Sequence, residues 1–518
     1  MNTDVRTTEE LRDIIIKQDA RITELEALVK FFEEQFRLSK HRQFGTSSEK
    51  SEYDQLKLFN EAENTADANT PEPELSEIAK HFRRRTRLTT DKLPEDLPVE
   101  TVFHDLPEDE RDCPECGCDM HIMGRNTARR ELKIIPAKAS IVEHVQMVYA
   151  CRSCEKDECG VPVLKAELCD PVIKGSFAAP ETVAHIMTQK FVLGTPLYRQ
   201  EQDWNRNGIM LSRQTMSNWL LRTSEDWLEP IYDALKELLC RQNVLHADET
   251  TLQVLREPGK AAQNKSYMWL YRTGSDAQNP IVLFEYQPDR KAVRPAEFLK
   301  DFEGYLHADG YDGYHKLPER ITVIGCWAHA RRKFDEALKS LPVKDREESN
   351  PSIGKRYCDK LFKFEKTFGG LLHDERYKLR LKHSKPVMDE FYAWARALDP
   401  VPKSGIGKAV HYLLSQRKYL ERFLLDGRLE ISNNRAERSI KPFVIGRKNF
   451  LFANTPRGAR ASAVMYSIIE TAKENGLNPY AYLTYIFKYA PNMDIRNDID
   501  ALTQLLPAFV PKSLKAQN

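Results

Sequence analysis

Two aspartates in this chain close the same tetrapeptide. Leu245-His246-Ala247-Asp248 and Leu306-His307-Ala308-Asp309 stand 61 residues apart, and each ends an apolar run on a carboxylate. Nothing around the two copies is self-similar, so a duplicated domain does not explain them. Two buried strands that deliver carboxylates to one place would. Like charges brought that close repel unless a cation lies between them. Mg²⁺ (or Mn²⁺) suits such a pair, being a hard ion that takes carboxylate oxygens and keeps waters for a substrate phosphate. Two carboxylates hold such an ion poorly, so a third acid is expected downstream. The stretch "DGRLEISNNRAERSIKP" offers Asp426, Glu430 and Glu437. Glu437 is preferred, because Asn433 or Asn434 can cap a helix that begins "RAERSIKP" and so puts Glu437 in its first turn. Arg435, Arg438, Lys441, Arg447, Lys448, Arg457 and Arg460 surround this single acid with seven basic residues. Such a field suits a polyphosphate track; it also suits an acid that is merely an ion-pair partner, and the residues alone leave that choice open. Ions held this way activate a water or a 3′-hydroxyl and stabilise the leaving oxygen of an in-line displacement.

A second metal signal lies upstream. Cys113-x-x-Cys116 and Cys151-x-x-Cys154 are two thiolate knuckles separated by 34 residues, a tetrahedral Zn²⁺ pattern. Four thiolates leave no open coordination position, so the zinc is structural. Cys118, Cys159 and Cys169 are spare, and Cys159 could replace one of the four. The insert "ELKIIPAKASIVEHVQMVYA" looks like two strands, which predicts a small β module over 96–170. Ahead of it, an acidic, proline-punctuated linker over 61–95 ends in Arg83, Arg84, Arg85 and Arg87. This arm reads equally as a phosphate contact or as solvated charge.

The remaining elements must position these groups. Residues 8–38 carry a heptad: Leu11, Gln18, Leu25 and Phe32 on one seam position, Ile15, Ile22, Val29 and Phe36 on the other. That predicts a coiled-coil, leucine-zipper-like segment over 1–60 that self-associates. Residues 171–240 read as helices. The order helix, turn at Gly208, helix capped by Ser212 has helix-turn-helix spacing, with Arg213, Gln214 and Ser217 outward. From 241 to 490 the order is strand, strand, strand, helix, strand, then "RITVIGCWAHARRKF", which passes from strand into basic helix. This is the order of a ribonuclease-H-like α/β domain, whose first and fourth strands are neighbours. A lysine-rich helical insert over about 335–405 separates the second aspartate from the glutamate, and 491–518 reads as a tail. The expected fold class is therefore multidomain: coiled coil, zinc-binding β module, helical DNA-binding-like region and α/β catalytic domain.

With 518 residues the chain suits several domains. Its net charge of +1 conceals the segregation just described. No apolar run reaches the ~20 residues that span a bilayer, and the first residues lack a secretion-signal pattern. A cytoplasmic protein is expected.

"HADET", "LHADGYDGY", "GCWAHARRKF" and "DGRLEISNNRAERSIKPFVIGRKNFLF" together resemble transposases of the insertion-sequence-66 family, a bacterial DDE group. The resemblance runs nearly end to end, through "RQFGTSSEK", the four-cysteine module and "ETAKENGLNPYAYLTYIF". It implies Asp248, Asp309 and Glu437 as the catalytic, metal-binding triad of a DNA transposase. It also implies partners: element inverted repeats and target DNA, bound by a homodimer or higher oligomer, with element-encoded helper proteins. His329, Arg331, Arg332 and Lys333 in "HARRK" are further DNA-contact candidates; a helix-start histidine bonded in the core is the other reading of His329. One position departs from the family: Ser432 stands where Asp is usual. That departure keeps a second function in play, a regulator or decayed relative that binds ends without cutting. A nuclease that only hydrolyses is a third.

Overall fold

The computed structural model describes residues 139–150, 163–165 and 167–515, with scattered helical positions between 17 and 33. The chain divides into two units, Ser47–Ala166 and the rest. In the smaller unit, β1 (Val148–Ala150) pairs antiparallel with β2 (Val163–Lys165), Tyr149 opposite Leu164. These strands flank Cys151 and Cys154 in sequence. All four expected zinc ligands, the spare Cys118 and Cys159, and Arg83, Arg84 and Arg85 lie outside the described residues, whereas Cys169 is exposed and free. Of the heptad, Ile22, Leu25, Val29 and Phe32 are helical and all exposed; the other seam positions except Gln18 lie outside the described residues.

From residue 180 the larger unit runs through four helices, α1 (Pro180–Phe191), α2 (Leu197–Arg206), α3 (Arg213–Thr223) and α4 (Glu229–Cys240). The turn before α3 uses Gly208 at φ 77°, a left-handed conformation that glycine adopts without a Cβ penalty. Ser212 caps α3, its Oγ accepting from Thr215 N at 3.1 Å. A π-helical turn, Ser224–Leu228, joins α3 directly to α4.

A five-stranded mixed sheet follows, built from β3 (Val244–Gln253), β4 (Lys265–Thr273), β5 (Val282–Gln287), β6 (Gly304–His307) and β7 (Ile321–Ile324). Its order is β5-β4-β3-β6-β7. β3, β4 and β5 form an antiparallel meander, and β6 and β7 add parallel to β3. The return from β5 to β6 passes through α5 (Val293–Phe298). β4 is buried along most of its length because helices cover both faces.

Beyond β7, α6 (Trp327–Lys339), α7 (Asn350–Phe368), α8 (Lys385–Ala397) and α9 (Gly405–Ser415) form the helical insert. It has its own core around Trp327, Phe334, Leu361, Phe391, Leu413 and Phe423. The expected limits of 335–405 were too narrow. The insert's core begins inside α6 and runs to Phe423, because α9 and the short helical turns after it fill the face that α7 and α8 leave open.

α10 (Asn434–Phe450), α11 (Pro456–Glu474) and α12 (Pro479–Tyr489) close the unit. α11 covers edge strand β5. Phe284 N donates to Ser467 Oγ at 2.7 Å and Val282 N to Thr471 Oγ1 at 3.0 Å, which satisfies backbone groups an open edge would expose. The segment expected as a tail is packed as well: Leu505 and Leu506 are buried, and Leu505 O accepts from Tyr482 Oη at 2.7 Å.

Candidate active site

The repeated tetrapeptide is one pair of rungs. β3 and β6 run parallel, with Leu245 opposite Leu306 and His246 opposite His307. Both leucines and both histidines are fully buried. The imidazoles stack at 4.3 Å between centroids and 12° between planes. Burial keeps the rings neutral: it pulls the His246 pKa down to about 3 and that of His307 well below its ordinary value. Two residues further along stand Asp248 and Asp309. Asp248 lies mid-strand, because β3 continues past β6 while pairing with the longer β4, and Asp309 lies two residues beyond the end of β6.

Glu437 reaches these strands through a chain of buried contacts. Asn433 Nδ2 donates to Ala247 O at 2.8 Å, which leaves its Oδ1 to accept from His246 Nδ1 at 2.9 Å. The residue before α10 is thereby bolted to the first aspartate strand. Asn433 does occupy the N-cap position, but it does not cap as expected: its side chain is spent on β3. Upstream, Glu430 N donates to His307 Nε2 at 3.3 Å and Trp327 N to Ile431 O at 3.1 Å. Arg380, fully buried, donates to the carbonyls of Phe423, Asp426 and Leu429 and pairs with Glu365 at 2.5 Å. The helical insert therefore holds the loop that launches α10. Glu437 lies in the first turn of that helix, as expected.

The acids repel one another. Burial and the neighbouring Glu249, Asp309 and Glu437 push the Asp248 pKa well above the ordinary carboxylate range, against one hydrogen bond from Glu249 N at 2.8 Å. Asp309 Oδ1 accepts from Tyr311 N at 2.9 Å, and its Oδ2 lies 3.7 Å from Arg290. Glu249 is a fourth acid that the sequence reading missed. It accepts from Arg290 Nε at 2.7 Å and Tyr314 Oη at 2.6 Å, and burial raises its pKa. Arg290 also stacks 3.9 Å over the Tyr311 ring. Glu437 lies 3.3 Å from Arg332 and 3.7 Å from His329 Nε2, while its Oε1 is buried without a hydrogen-bond partner.

Among the described residues, the ligand atoms drawn within 4.8 Å of one another are those of Cys326, His329 and Glu437; the three acids are spread more widely. Cys326 does not complete a metal set with them. Burial pushes its thiol up to about 12, and its Sγ accepts from Asn433 N at 3.1 Å. It is a buried packing residue.

The expected basic track holds only in part. Arg435 is drawn to Glu430 (2.7 Å), Arg457 to Glu225 and Arg460 to Glu229, and Arg447 binds Thr250 and Thr251. These four spend their charge or their donors on the protein. Arg438, Lys441 and Lys448 remain exposed on α10. Likewise Arg331 pairs with Asp359 at 2.5 Å, whereas Lys333 is half-buried. Asp426 and Glu430, the other acids considered, are taken by Arg428 and Arg435. On α3, Arg213 and Gln214 are exposed and Ser217 half-buried.

Comparison with known proteins decides the family. The profile described as "Transposase IS66 family" matches residues 175–461, more than half of the chain. The chain belongs to the IS66 family of transposases. Three further elements of this family match in chain order: a leucine-zipper element described as "Transposase C of IS166 homeodomain" over 32–102, its zinc-finger binding domain over 110–155, and the IS66 C-terminal element over 467–507. The IS66 chain is similar to uncharacterized proteins of Sinorhizobium fredii. Identity to y4jD is 30%, covering 81% of this chain and 82% of that protein; identity to y4qI is 31%, covering 73% and 70%. A chain of the Drosophila P element transposase strand transfer complex matches 57% of this chain and 92% of its own length at 12% identity. Its TM-score of 0.33 is too loose to support an argument. No described helix of this IS66 protein is long and apolar enough to cross a membrane.

Proposed function

We propose that this chain cleaves DNA strands at the ends of its own element and joins the freed 3′ ends to target DNA, using divalent metal held by Asp248, Asp309 and Glu437. The observation that carries this reading is the in-register pairing of the two Leu-His-Ala-Asp strands, with Glu437 bolted to the first of them through Asn433. The strand order β5-β4-β3-β6-β7, with one antiparallel and one parallel half, supports a ribonuclease-H-like catalytic domain.

The donor set fits Mg²⁺ or Mn²⁺. Asp248 forms no ion pair with a described cation, Glu437 Oε1 is a buried acceptor without a donor, and all the groups are hard oxygens. When bound, such ions activate the attacking water or 3′-hydroxyl and stabilise the leaving oxygen. The chain itself supplies placement. Arg332 and His329 steer Glu437, Arg290 offsets the charge of Glu249 and Asp309, and Arg438, Lys441, Lys448 and Lys333 meet phosphates. The two cysteine pairs, Cys113 with Cys116 and Cys151 with Cys154, hold a structural zinc. The arm at Arg83, Arg84 and Arg85 and helix α3, through Arg213 and Gln214, assist in end recognition, and the heptad joins two copies over paired inverted repeats. Among the described residues the Ser432 side chain forms no hydrogen bond, and the start of α10 is held through Asn433 instead.

The test is purified full-length protein with labelled DNA from the sequence that brackets its gene. Mg²⁺-dependent nicking and joining, absent in Asp248→Asn but with binding retained, is the expected result. Binding without any cutting in Mg²⁺ or Mn²⁺ would instead show an end-binding regulator. Cutting without joining would show a hydrolytic nuclease.

A further inference from the structure

Helix α10 leads from the acids to an unusual turn. Arg438, Lys441, Ile445 and Lys448 are exposed at steps of three, four and three residues, so they share one helix face. None of the three cations forms an ion pair with a described acid. The helix ends at Leu451, whose φ of 68° makes it the one described non-glycine residue in the left-handed region. With ψ at −52° and Phe452 N bonded back to Phe450 O this is a γ-turn; its strain costs about 1–3 kcal/mol and persists only where the surroundings impose it. They do so from both sides. Leu451 N donates to Arg447 O at 2.7 Å and Phe452 N to Phe450 O at 2.9 Å. Beyond the turn, Ala453 N donates to Gln253 O at 2.9 Å and Leu255 N to Ala453 O at 3.0 Å, which ties the turn to the end of β3.

This rigid turn buries neither apolar side chain. Leu451 is 66% exposed and Phe452 45%. Burying either would stabilise the protein by about 1.5–3 kcal/mol, yet a strained backbone holds both outward at the end of a basic stripe. Apolar side chains so presented beside phosphate-binding cations are what enters a base step and unstacks it.

We propose that Leu451 and Phe452 form a wedge that enters a base step of the duplex lying along α10. The inference rests on the reading of the acid site as a DNA-cutting centre. Fourteen residues separate Glu437 from Leu451, about 21 Å along a helix or about six base pairs of DNA. The wedge thus opens the duplex about six pairs from the phosphate that is cut. The charge of the stripe selects DNA over a second protein copy as its occupant.

The experiment uses the full-length, zinc-loaded protein and a duplex of the DNA bracketing its gene, with 2-aminopurine substituted at successive positions. Fluorescence should rise on binding at about five to seven pairs from the cleaved phosphate and nowhere else within the bound segment. The rise should vanish in the double variant Leu451→Gly, Phe452→Ala while a mobility shift persists. Glycine accepts a positive φ, so this variant keeps the turn, and a thermal melt checks that it is folded. Bound DNA without a local rise, or an unchanged rise in the variant, overturns the wedge and leaves the cutting reading standing. Loss of self-association in the variant with unstacking unchanged would assign the patch to a second copy. Failure of the wild type to bind the duplex overturns both.

Discussion

Removing the Asn433 side chain should both destabilise this protein and disable it. Asn433 is 1% exposed and spans two elements, accepting from His246 Nδ1 at 2.9 Å and donating to Ala247 O at 2.8 Å. Asn433→Ala strands a buried N–H and a buried carbonyl, and each such group costs about 1–3 kcal/mol. His246 Nε2 already lacks a partner, so the ring has no second anchor. The expected loss is about 2–6 kcal/mol. At about 2 °C per kcal/mol for a unit of this size, Tm should fall by about 4–12 °C. Circular-dichroism melts of wild type and variant at equal concentration read this directly. Because the same contacts bolt the base of α10 to β3, Mg²⁺-dependent nicking should fall far more than the folded fraction does at the assay temperature. A melt within about 1 °C of wild type, or a variant that nicks normally, would refute the idea that this one side chain joins the glutamate helix to the aspartate strand.

Three other perturbations act elsewhere in the molecule. Burial raises the Glu285 pKa to about 7. Between its unfolded value and 7 the unfolded chain ionises while the folded one does not, so stability falls as pH rises through that window, by about 3 kcal/mol in all. Glu285→Gln should therefore match wild type near pH 4.5 and exceed it at pH 8 in urea unfolding; equal midpoints at both pH values would contradict this. Arg380→Met leaves the half-buried Glu365 and three carbonyls without their donor, a loss of about 3–5 kcal/mol, visible as a lowered urea midpoint; an unchanged midpoint would show that Arg380 does not hold the loop before α10. Replacing Cys113 and Cys116 by Ser should remove one zinc per chain by elemental analysis while leaving the melt of the larger unit in place.

The sequence made the aspartates legible because a repeated tetrapeptide in parallel neighbours puts identical residues opposite each other, and a period of two makes that register readable. Glu437 was placed through helix-start chemistry, and the helix does begin there, although Asn433 serves β3 rather than the cap. What was not legible is what depends on long-range pairing. Arg380 reaches carbonyls more than forty residues away, and no local pattern marks it. Glu249 hid behind its neighbour Asp248, and only the folded positions of Arg290 and Tyr314 show its charge being compensated. The basic track was overcounted for the same reason: Arg457 and Arg460 find Glu225 and Glu229, partners more than two hundred residues upstream.

The most direct measurement is a Mn²⁺ titration of the zinc-loaded full-length protein, with free ion followed by electron paramagnetic resonance. If Asp248, Asp309 and Glu437 share divalent metal, the wild type takes up Mn²⁺, and Asp248→Asn, Asp309→Asn and Glu437→Gln each lose that uptake while remaining folded. Undiminished uptake in folded Asp248→Asn would place the metal elsewhere and remove the basis for a cutting site on these strands.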